Sequence, residues 1–442
     1  MRLDQVFPGP PGDPVWRAGA YERWEEFIDA VDRQPAAPAA SRLLIQAGPL
    51  AANLEERADT GVSSGALTNG GRERLIFAGQ QAYIDYRLGM VAKVDALELC
   101  RPPAFCALVE YDSFASDRLF ACTDLPRVDA GTAKRLTLRF HPGKRAFGKR
   151  DLRFVPSPNA QTLERIRADL RGTITLTGRA VPGFDARAAR ERLDELWADY
   201  TFARERARHV GDFNLLWTVR TLRRLGYRTP MLALGELWDA PGMMEVIAET
   251  LVPFVRENER FVEAANEAIR LAAPHKRGMS PREPGHLPLS MTDPATGIRF
   301  GLRIARRGVD SVIVGTGPVP FAHDVGSAGQ DELLMFLHVH RGRCSPNVFA
   351  PIFLFRAGVS GILNGRGAIR YSFVLANVMA RLFGLSHPPN FLCAGEACVE
   401  DPFALARAAA GAPPADVEPT LLSRLLAVGP ATVRREVSEV WR

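Results

Sequence analysis

Two glycine-containing segments hold the residues of this chain with the clearest capacity for chemistry. The first is Gly79-Gln80-Gln81, which follows the short apolar run RLIFA, and the second is Asn364-Gly365-Arg366-Gly367, which follows an apolar, β-rich run from residue 344. Both are predicted strand-to-helix turns, where glycines let the backbone turn tightly and N–H groups at a helix N-terminus favour anions such as phosphate or carboxylate. At the carboxyl ends of one parallel sheet, the two segments would frame a ligand cleft.

The side chains around the first turn suit a polar or anionic ligand. Gln80 and Gln81 can each donate and accept hydrogen bonds, as a nucleobase, a ribose or a carboxylate requires. Tyr83 lies near Tyr86 and Arg87 at helical spacing. The alternatives are amides that only cap the next helix and aromatic side chains that pack in the core.

Two carboxylates end the next predicted strand. Glu110 and Asp112 are two residues apart and therefore lie on one face of that strand. Such a pair could act as a general base or hold Mg²⁺, because each carboxylate shifts the pKa of the other and both offer hard oxygen ligands. A solvated acidic turn is the alternative.

Other polar clusters give weaker indications of chemistry. Residues 133–153 hold three of the five lysines and resemble a basic loop that could close over a polyphosphate, but a solvated basic surface is the favoured interpretation and no P-loop order is present. His338 and His340 are predicted to point to one face of a strand, but no third ligand accompanies them, so no metal site is predicted. The six cysteines form no CxxC pair and are interpreted as buried apolar residues.

Composition limits the classes of protein that the chain can represent. It has 442 residues, 46% hydrophobic and 24% charged, as in a globular protein with one large domain or two. No window is apolar enough to span a membrane, and the first residues lack signal-peptide order, so a cytoplasmic protein is expected. The net charge of +6 comes mostly from arginine without a nucleic-acid motif. The expected partner is a small molecule, with no nucleic acid and no membrane, and the oligomeric state stays open.

The strand–helix–strand order after residue 71 predicts a parallel, right-handed crossover. The fold class is therefore predicted to be α/β: a Rossmann-like core with a mainly parallel sheet and a helical insertion. The predicted division is a helical lead-in over 1–70, the first part of the core over 71–184, a helical region over 185–284, the second part of the core over 285–395 and a short tail over 396–442.

The order of these motifs resembles the cysteine-adding enzymes of bacillithiol biosynthesis, the BshC family. That family has a TGQQ strand end, a Tyr-x-x-Tyr-Lys helix and a strand that ends in an EDHDF-like motif. This chain has AGQQ at 78–81, then Tyr83, Tyr86 and Arg87, then EYDSF at 110–114. GIRFGLR at 297–303, SPNV at 345–348 and NGRGAIRY at 364–371 match later family elements in order, so the resemblance covers about residues 40–390.

The chain departs from the family at several points. A glycine-rich insertion after GQQ is absent, Arg87 stands where lysine is usual, and Tyr111, Asp112 and Ser113 stand where the family has Asp, His and Asp. The tail is too short for the long coiled-coil helix of the family. These differences concern the reaction and the dimer more than the fold.

The resemblance implies a nucleotidyltransferase-related core and a ligase that joins cysteine, or another carboxylate, to the amine of an amino-sugar conjugate. ATP or ADP with Mg²⁺ are the candidate cofactors, and Glu110 or Asp112 would be the base or metal anchor. The alternative is a catalytically degenerate relative that binds a nucleotide or another small molecule. The expected ligand-binding residues are Gly79, Gln80, Gln81, Tyr83, Tyr86, Arg87, Ser345, Asn347, Asn364, Gly365, Arg366, Gly367 and Tyr371.

Overall fold

A computed structural model shows an α/β protein. It describes residues 20–21, 23–34, 38–62, 74–81, 85–86, 88–100, 104–111, 122–129, 132–140, 150–272, 279–317, 319–393 and 420–439. The strands are β1 (Ala20–Tyr21), β2 (Arg74–Gln81), β3 (Ala104–Tyr111), β4 (Cys122–Asp129), β5 (Thr132–Arg139), β6 (Met231–Ala233), β7 (His286–Thr292), β8 (Arg299–Arg307), β9 (Asp310–Gly315), β10 (Ala322–Asp324), β11 (Cys344–Pro346), β12 (Gly361–Gly365) and β13 (Asn390–Cys393).

The helices are α1 (Trp24–Asp32), α2 (Pro38–Ala58), α3 (Leu88–Glu98), α4 (Ala160–Ala180), α5 (Ala186–Arg206), α6 (Val210–Arg224), α7 (Leu234–Trp238), α8 (Pro241–Arg256), α9 (Asn258–Ala272), α10 (Gln330–Val339), α11 (Ala350–Arg356), α12 (Arg366–Val378), α13 (Leu421–Val428) and α14 (Pro430–Glu439). None of the described helices is long and apolar enough to cross a membrane.

The main sheet is parallel and has the strand order β1-β13-β12-β2-β3-β6. β2 and β3 pair along their whole length, from Arg74 opposite Ala104 to Gln81 opposite Tyr111. The prediction that these two segments are neighbouring parallel strands is therefore confirmed. The apolar run that begins β2 is buried on both faces, as a strand inside a parallel sheet must be. This sheet is compatible with a Rossmann-like core.

The direction of the connections reverses between β2 and β12. From β2 the chain crosses through α3 to β3 on one side, whereas from β12 it crosses through α12 to β13 on the other side. The buried side chains of α3 pack in the same core as Ile76, whereas those of α12 pack in the same core as Phe77. The two helices thus cover opposite faces, and in such sheets a crevice opens outside the carboxyl ends of the strands at the reversal.

A second sheet is antiparallel, with the order β10-β9-β8-β7-β11, and β4 pairs with β5 in a separate hairpin. The segments GIRFGLRIARR and DSVIVGTG contain β8 and β9, which pair as a hairpin. Helices fill most of the chain from α4 to α9, where Tyr200 of α5 stacks on Trp217 of α6 with ring centroids 4.0 Å apart. Residues 229–239 contain the three-residue strand β6 and the helix α7, which follows it directly. The five-part division of the chain stays a prediction.

The apolar run that begins at residue 344 is not one β segment. It contains β11, then α11, then β12, so its interpretation as a continuous β-rich run is wrong. Pro351 lies in the first turn of α11, where its missing N–H breaks no helical bond. Asn347 Oδ1 accepts from Phe349 N at 3.1 Å and turns the chain into the helix.

The prediction that His338 and His340 share a face of a strand is also wrong. His338 lies in the last turn of the helix α10 and is exposed, whereas His340 is the C-cap of that helix and is buried. Residues two apart in a helix point about 200° from each other, so the pair cannot act together on one ligand. His340 Nε2 instead lies 3.1 Å from His323 Nδ1.

Gly361 shows how tightly helix α1 packs on the parallel sheet. A Cβ at this position would lie 2.8 Å from Val31 Cγ2 and 2.9 Å from Phe27 Cζ. We expect Gly361→Ala to lower the free energy of unfolding by about 1–3 kcal/mol because the core is overpacked. Gly172→Ala is the control, since Gly172 lies in α4 with open space around it, and it should stabilise the protein by about 1 kcal/mol. Urea denaturation measures both changes, and an unchanged Gly361 variant would show that α1 does not pack as described.

Candidate functional site at the carboxyl edge of the parallel sheet

The two glycine segments end neighbouring strands at the same edge of the parallel sheet. Leu363 of β12 pairs with Ala78 of β2, so Gly365 and Gln80 lie side by side two residues further along. Gly365 also pairs with Cys393 of β13, and Gln80 pairs with Glu110 of β3. We call these four positions, Cys393, Gly365, Gln80 and Glu110, the edge row.

Lys93 of α3 lies against the edge row. Its Nζ donates to Gly79 O at 2.9 Å and to Gln80 Oε1 at 3.0 Å. Its side chain approaches the second glycine turn as well, because a Cβ at Gly365 would lie 3.5 Å from Lys93 Cε and 3.8 Å from Nζ. The lysine therefore connects the two segments at the point where the strand order reverses.

Burial controls the protonation of this lysine. Removal from solvent lowers the pKa of Lys93 from its ordinary 10.5 to about 8, and the smaller effect of Cys393 raises it. Burial also raises the pKa of the Cys393 thiol to about 12, while the Lys93 ammonium lowers it. At neutral pH the structure therefore holds a protonated lysine beside a neutral thiol. The two oxygens that Lys93 contacts are neutral as well, so no described anion balances its charge.

The role of Gly365 differs from the one predicted. Its backbone has φ −81° and ψ 172°, an extended conformation that any residue adopts, so the turn does not require a glycine for its geometry. The missing side chain instead leaves space beside Lys93 Nζ. Gly365 is also the N-cap of α12 and offers no side-chain oxygen to the first N–H groups of that helix.

Asn364 faces the opposite side of the sheet from Gly365, as alternation along a strand requires. Its Nδ2 donates to Asn390 Oδ1 at 3.1 Å, and Asn390 Nδ2 donates to Ser372 Oγ. All three side chains are buried. This network fixes β12, β13 and the first turns of α12 relative to one another, which positions the helix N-terminus at the edge.

Other predicted site residues of the first turn lie in different surroundings. Gln81 is exposed at the end of β2. Tyr86 is only 2% exposed, and its hydroxyl accepts from Thr218 Oγ1 of α6 at 3.0 Å, so its side chain belongs to the core. Tyr83, Arg87 and Asp112 lie outside the described residues. Only the backbone is described for Glu110 and Arg366, and Gly367 lies in the first turn of α12.

The SPNV residues belong to the antiparallel sheet. Ser345 is buried, and its Oγ accepts from Arg299 Nε at 3.3 Å. Asn347 Nδ2 donates to Leu287 O at 3.1 Å while its Oδ1 accepts from the backbone at the start of α11. Both side chains are engaged by the protein itself. Tyr371, further along α12, is half-buried.

Lys93 and Cys393 were not identified as site residues from the sequence, although α3 carries a usable signal. Almost every position of LGMVAKVDALE is buried, so a charged residue there must be compensated or functional. Asp95, the other buried charge of α3, is compensated, since its Oδ1 accepts from Tyr227 Oη at 3.1 Å and from Ser438 Oγ at 2.8 Å. Lys93 has no comparable ionic or acidic partner among the described residues.

Two other features of the described chain do not compete with this site. A depression of ≈ 370 Å³ lies between α4 and α5, but its charged residues are already paired, Arg167 with Asp194 at 2.9 Å and Glu205 with Arg204 at 3.2 Å. Among the residues that the structure describes, no group of three or more His, Cys, Asp or Glu side chains is arranged to hold a metal ion.

The burial of Lys93 predicts a specific pH dependence. The folded state disfavours the ammonium form of Lys93, so below pH 8 the wild-type protein bears the full free-energy cost of burying that charge. This cost is lost as the pH rises to 10.5, because in this range only the unfolded chain still binds the proton. Lys93→Met removes this titration. The stability difference, variant minus wild type, should therefore fall by on the order of 3 kcal/mol between pH 7 and 10.5.

Urea unfolding across this pH range measures the difference. Arg187→Met is the control, because the Arg187 side chain is 90% exposed and its loss should give a difference that hardly changes with pH. If the stability difference between Lys93→Met and the wild type is equally independent of pH, the placement of Lys93 in the interior is contradicted.

No protein-family model matches this chain, and no curated protein matches it significantly in sequence.

Proposed function

We propose that the chain is a nucleotide-dependent ligase that joins cysteine or another carboxylate to an amine, as on an amino-sugar conjugate, and that its core is of the nucleotidyltransferase-related, Rossmann-like kind. The observation that supports this most is the position of Lys93 between Gly79 and Gly365 at the reversal of strand order. Crevices at such positions are the usual ligand sites of open parallel sheets.

The chemistry of the crevice favours an anionic ligand. Lys93 is protonated at neutral pH and contacts only uncharged oxygens among the described residues. The first N–H groups of α12 carry the positive end of the helix dipole, and their N-cap residue Gly365 has no side chain to accept from them. The missing Cβ of Gly365 leaves space between these two groups. A phosphate or carboxylate there would gain charge-assisted hydrogen bonds from both.

A nucleotide is the economical source of driving force for this reaction. Amide formation from a free carboxylate is uphill in water, and a nucleotide would supply activation through an acyl phosphate or acyl adenylate. Lys93 and the α12 N-terminus would bind the phosphate and offset charge that develops on it. Glu110 lies in the same edge row and is the candidate base. Glu110 or Asp112 would also be the anchor for Mg²⁺ bound with the nucleotide.

Calorimetry and mass spectrometry test the proposal directly. ATP, ADP and amino-sugar ligands are titrated into the protein, and mixtures with cysteine are followed for an amide product. Nucleotide binding with product supports the ligase. Binding without product supports the degenerate binding protein, the alternative that the altered EYDSF motif favours. Absence of binding by every ligand would refute both.

Gly365→Ala tests the space beside Lys93. The new Cβ would lie in ordinary contact with Lys93 Cε, so the fold should persist with a loss of about 1 kcal/mol for the poorer N-cap. Nucleotide affinity should fall at least tenfold because the methyl group occupies the anion position. Gly365→Ser is the matched variant, since it fills the same space but caps the helix well. If calorimetry shows that both variants bind the nucleotide as tightly as the wild type does, Gly365 is not part of the site.

Arg366→Ala tests the anionic character of the ligand. Arg366 is the first residue of α12, where the dipole already favours an anion and a guanidinium can add a bidentate contact. Nucleotide or carboxylate affinity should fall at least tenfold at low salt, where screening is weakest, with little change in melting temperature. Arg187→Ala is the control for the loss of an exposed charge. Equal affinity of the Arg366 variant and the wild type would count against the anion site.

A further inference from the structure

Arg282 is held in a defined position between α9 and β7. Its backbone N donates to Asn266 Oδ1 at 2.6 Å, and its carbonyl oxygen accepts from Asn266 Nδ2 at 2.8 Å. The guanidinium carbon lies 5.5 Å from the centre of the buried Phe349 ring. The side chain is therefore half-buried against fixed groups and is not a freely moving surface arginine.

The guanidinium of Arg282 lacks an acidic partner among the described residues. Its Nε is buried without a hydrogen bond, and burial lowers the pKa of the group, which only the phenol of Tyr371 opposes. Neighbouring arginines of the antiparallel sheet are different. Arg303 pairs with Glu283, and Arg299 donates to Ser345 Oγ and to Pro346 O. From residue 268 to 282 the sequence contains no acidic residue.

His286 and Tyr371 supply further donors beside Arg282. Burial, and secondarily the Arg282 charge, lowers the pKa of His286 to about 4, so its ring is neutral at pH 7. Asn347 Nδ2 lies 3.5 Å from His286 Nε2, and since an amide nitrogen can only donate, that ring nitrogen accepts. The ring proton is then on Nδ1, which makes this atom a donor. Asn347 itself is engaged by backbone groups and only orients the ring.

We propose that Arg282, His286 and Tyr371 form a binding site for an oxyanion, the carboxylate or phosphate group of a small molecule. An unpaired, partly desolvated guanidinium is costly, and an oxyanion would offset that cost through bidentate hydrogen bonds. The neutral histidine and the phenol add donors without adding a competing anion. This proposal uses none of the contacts of Lys93 and does not depend on the reaction proposed for the carboxyl edge.

Thermal unfolding in the presence of simple anions tests the site. The wild-type melting temperature is measured against inorganic phosphate and, separately, against malonate, each compared with sodium chloride at equal ionic strength. Binding to the folded state should raise it progressively with anion concentration. The arm with the larger rise identifies a phosphate or a carboxylate as the preferred group.

In the Arg282→Gln variant, the same rise in melting temperature should require at least a tenfold higher anion concentration. Without anion its melting temperature should be no lower than that of the wild type, because an unpaired charge has been removed. Arg307→Gln is the matched control, since Arg307 is an exposed arginine of β8 and should respond as the wild type does. Lys93→Met should keep the part of the response that Arg282→Gln loses, which distinguishes this site from any anion binding at the carboxyl edge.

A second measurement uses the wild-type protein alone and needs no variant to fold. Phenylglyoxal modifies accessible arginines, and peptide mass mapping reports each position. Phosphate or malonate should slow modification of Arg282 at least fivefold and leave Arg307 unchanged. No specific rise in melting temperature, an undiminished response in Arg282→Gln, or an unprotected Arg282 would each overturn the proposal.

Discussion

Parallel pairing of β2 with β12 is the interaction on which the candidate site depends. It joins parts of the chain that are far apart in sequence: Leu75 N reaches Ser360 Oγ across a separation of 285 residues, and Ser360 N donates to Leu75 O at 2.7 Å. Because both strands run the same way, the glycine-containing segments at their carboxyl ends reach one edge together. Because their connections leave in opposite directions, α3 and α12 cover opposite faces, an arrangement that opens a crevice at that edge in such sheets.

The interior of this protein compensates its charges unevenly, and the exceptions are informative. Asp151 is fully buried but receives Arg153 in a bidentate contact and Thr292 Oγ1 at 3.0 Å. Asp95 is similarly satisfied by hydroxyl donors. Lys93 is fully buried and Arg282 partly buried, and neither has an anionic partner among the described residues. Since unpaired buried charge is costly, both positions favour an anionic ligand.

The SPNV segment shows that residues of a sequence motif can have a structural role. Its Ser345 and Asn347 are engaged by Arg299 and by the backbone of β7 and α11. These bonds fix the edge of the antiparallel sheet and the start of α11, so their observed role is structural. Asn347 nevertheless orients His286, which indicates how a structural residue can support a neighbouring binding group.

Local sequence was sufficient for the elements that depend on local periodicity. The apolar run at 74–78, the helix after it and the strand at 105–110 were predicted as neighbours, and the strand-to-helix turn at Gly365 was located correctly. Burial on both faces of a parallel strand and the switch to helical spacing are properties of consecutive residues, so the sequence alone carries them. The apolar run from residue 344 misled because buried helices and buried strands share such composition.

The tertiary structure alone decided which polar side chains meet. Lys93 and Arg282 were visible in the sequence, but their importance comes from what surrounds them: carbonyl and amide oxygens for one, a phenol and a neutral imidazole for the other. Whether a charge is buried, and whether an opposite charge accompanies it, is set by segments far apart in the chain. Burial and pairing are therefore properties of the folded molecule, and no local pattern of residues encodes them.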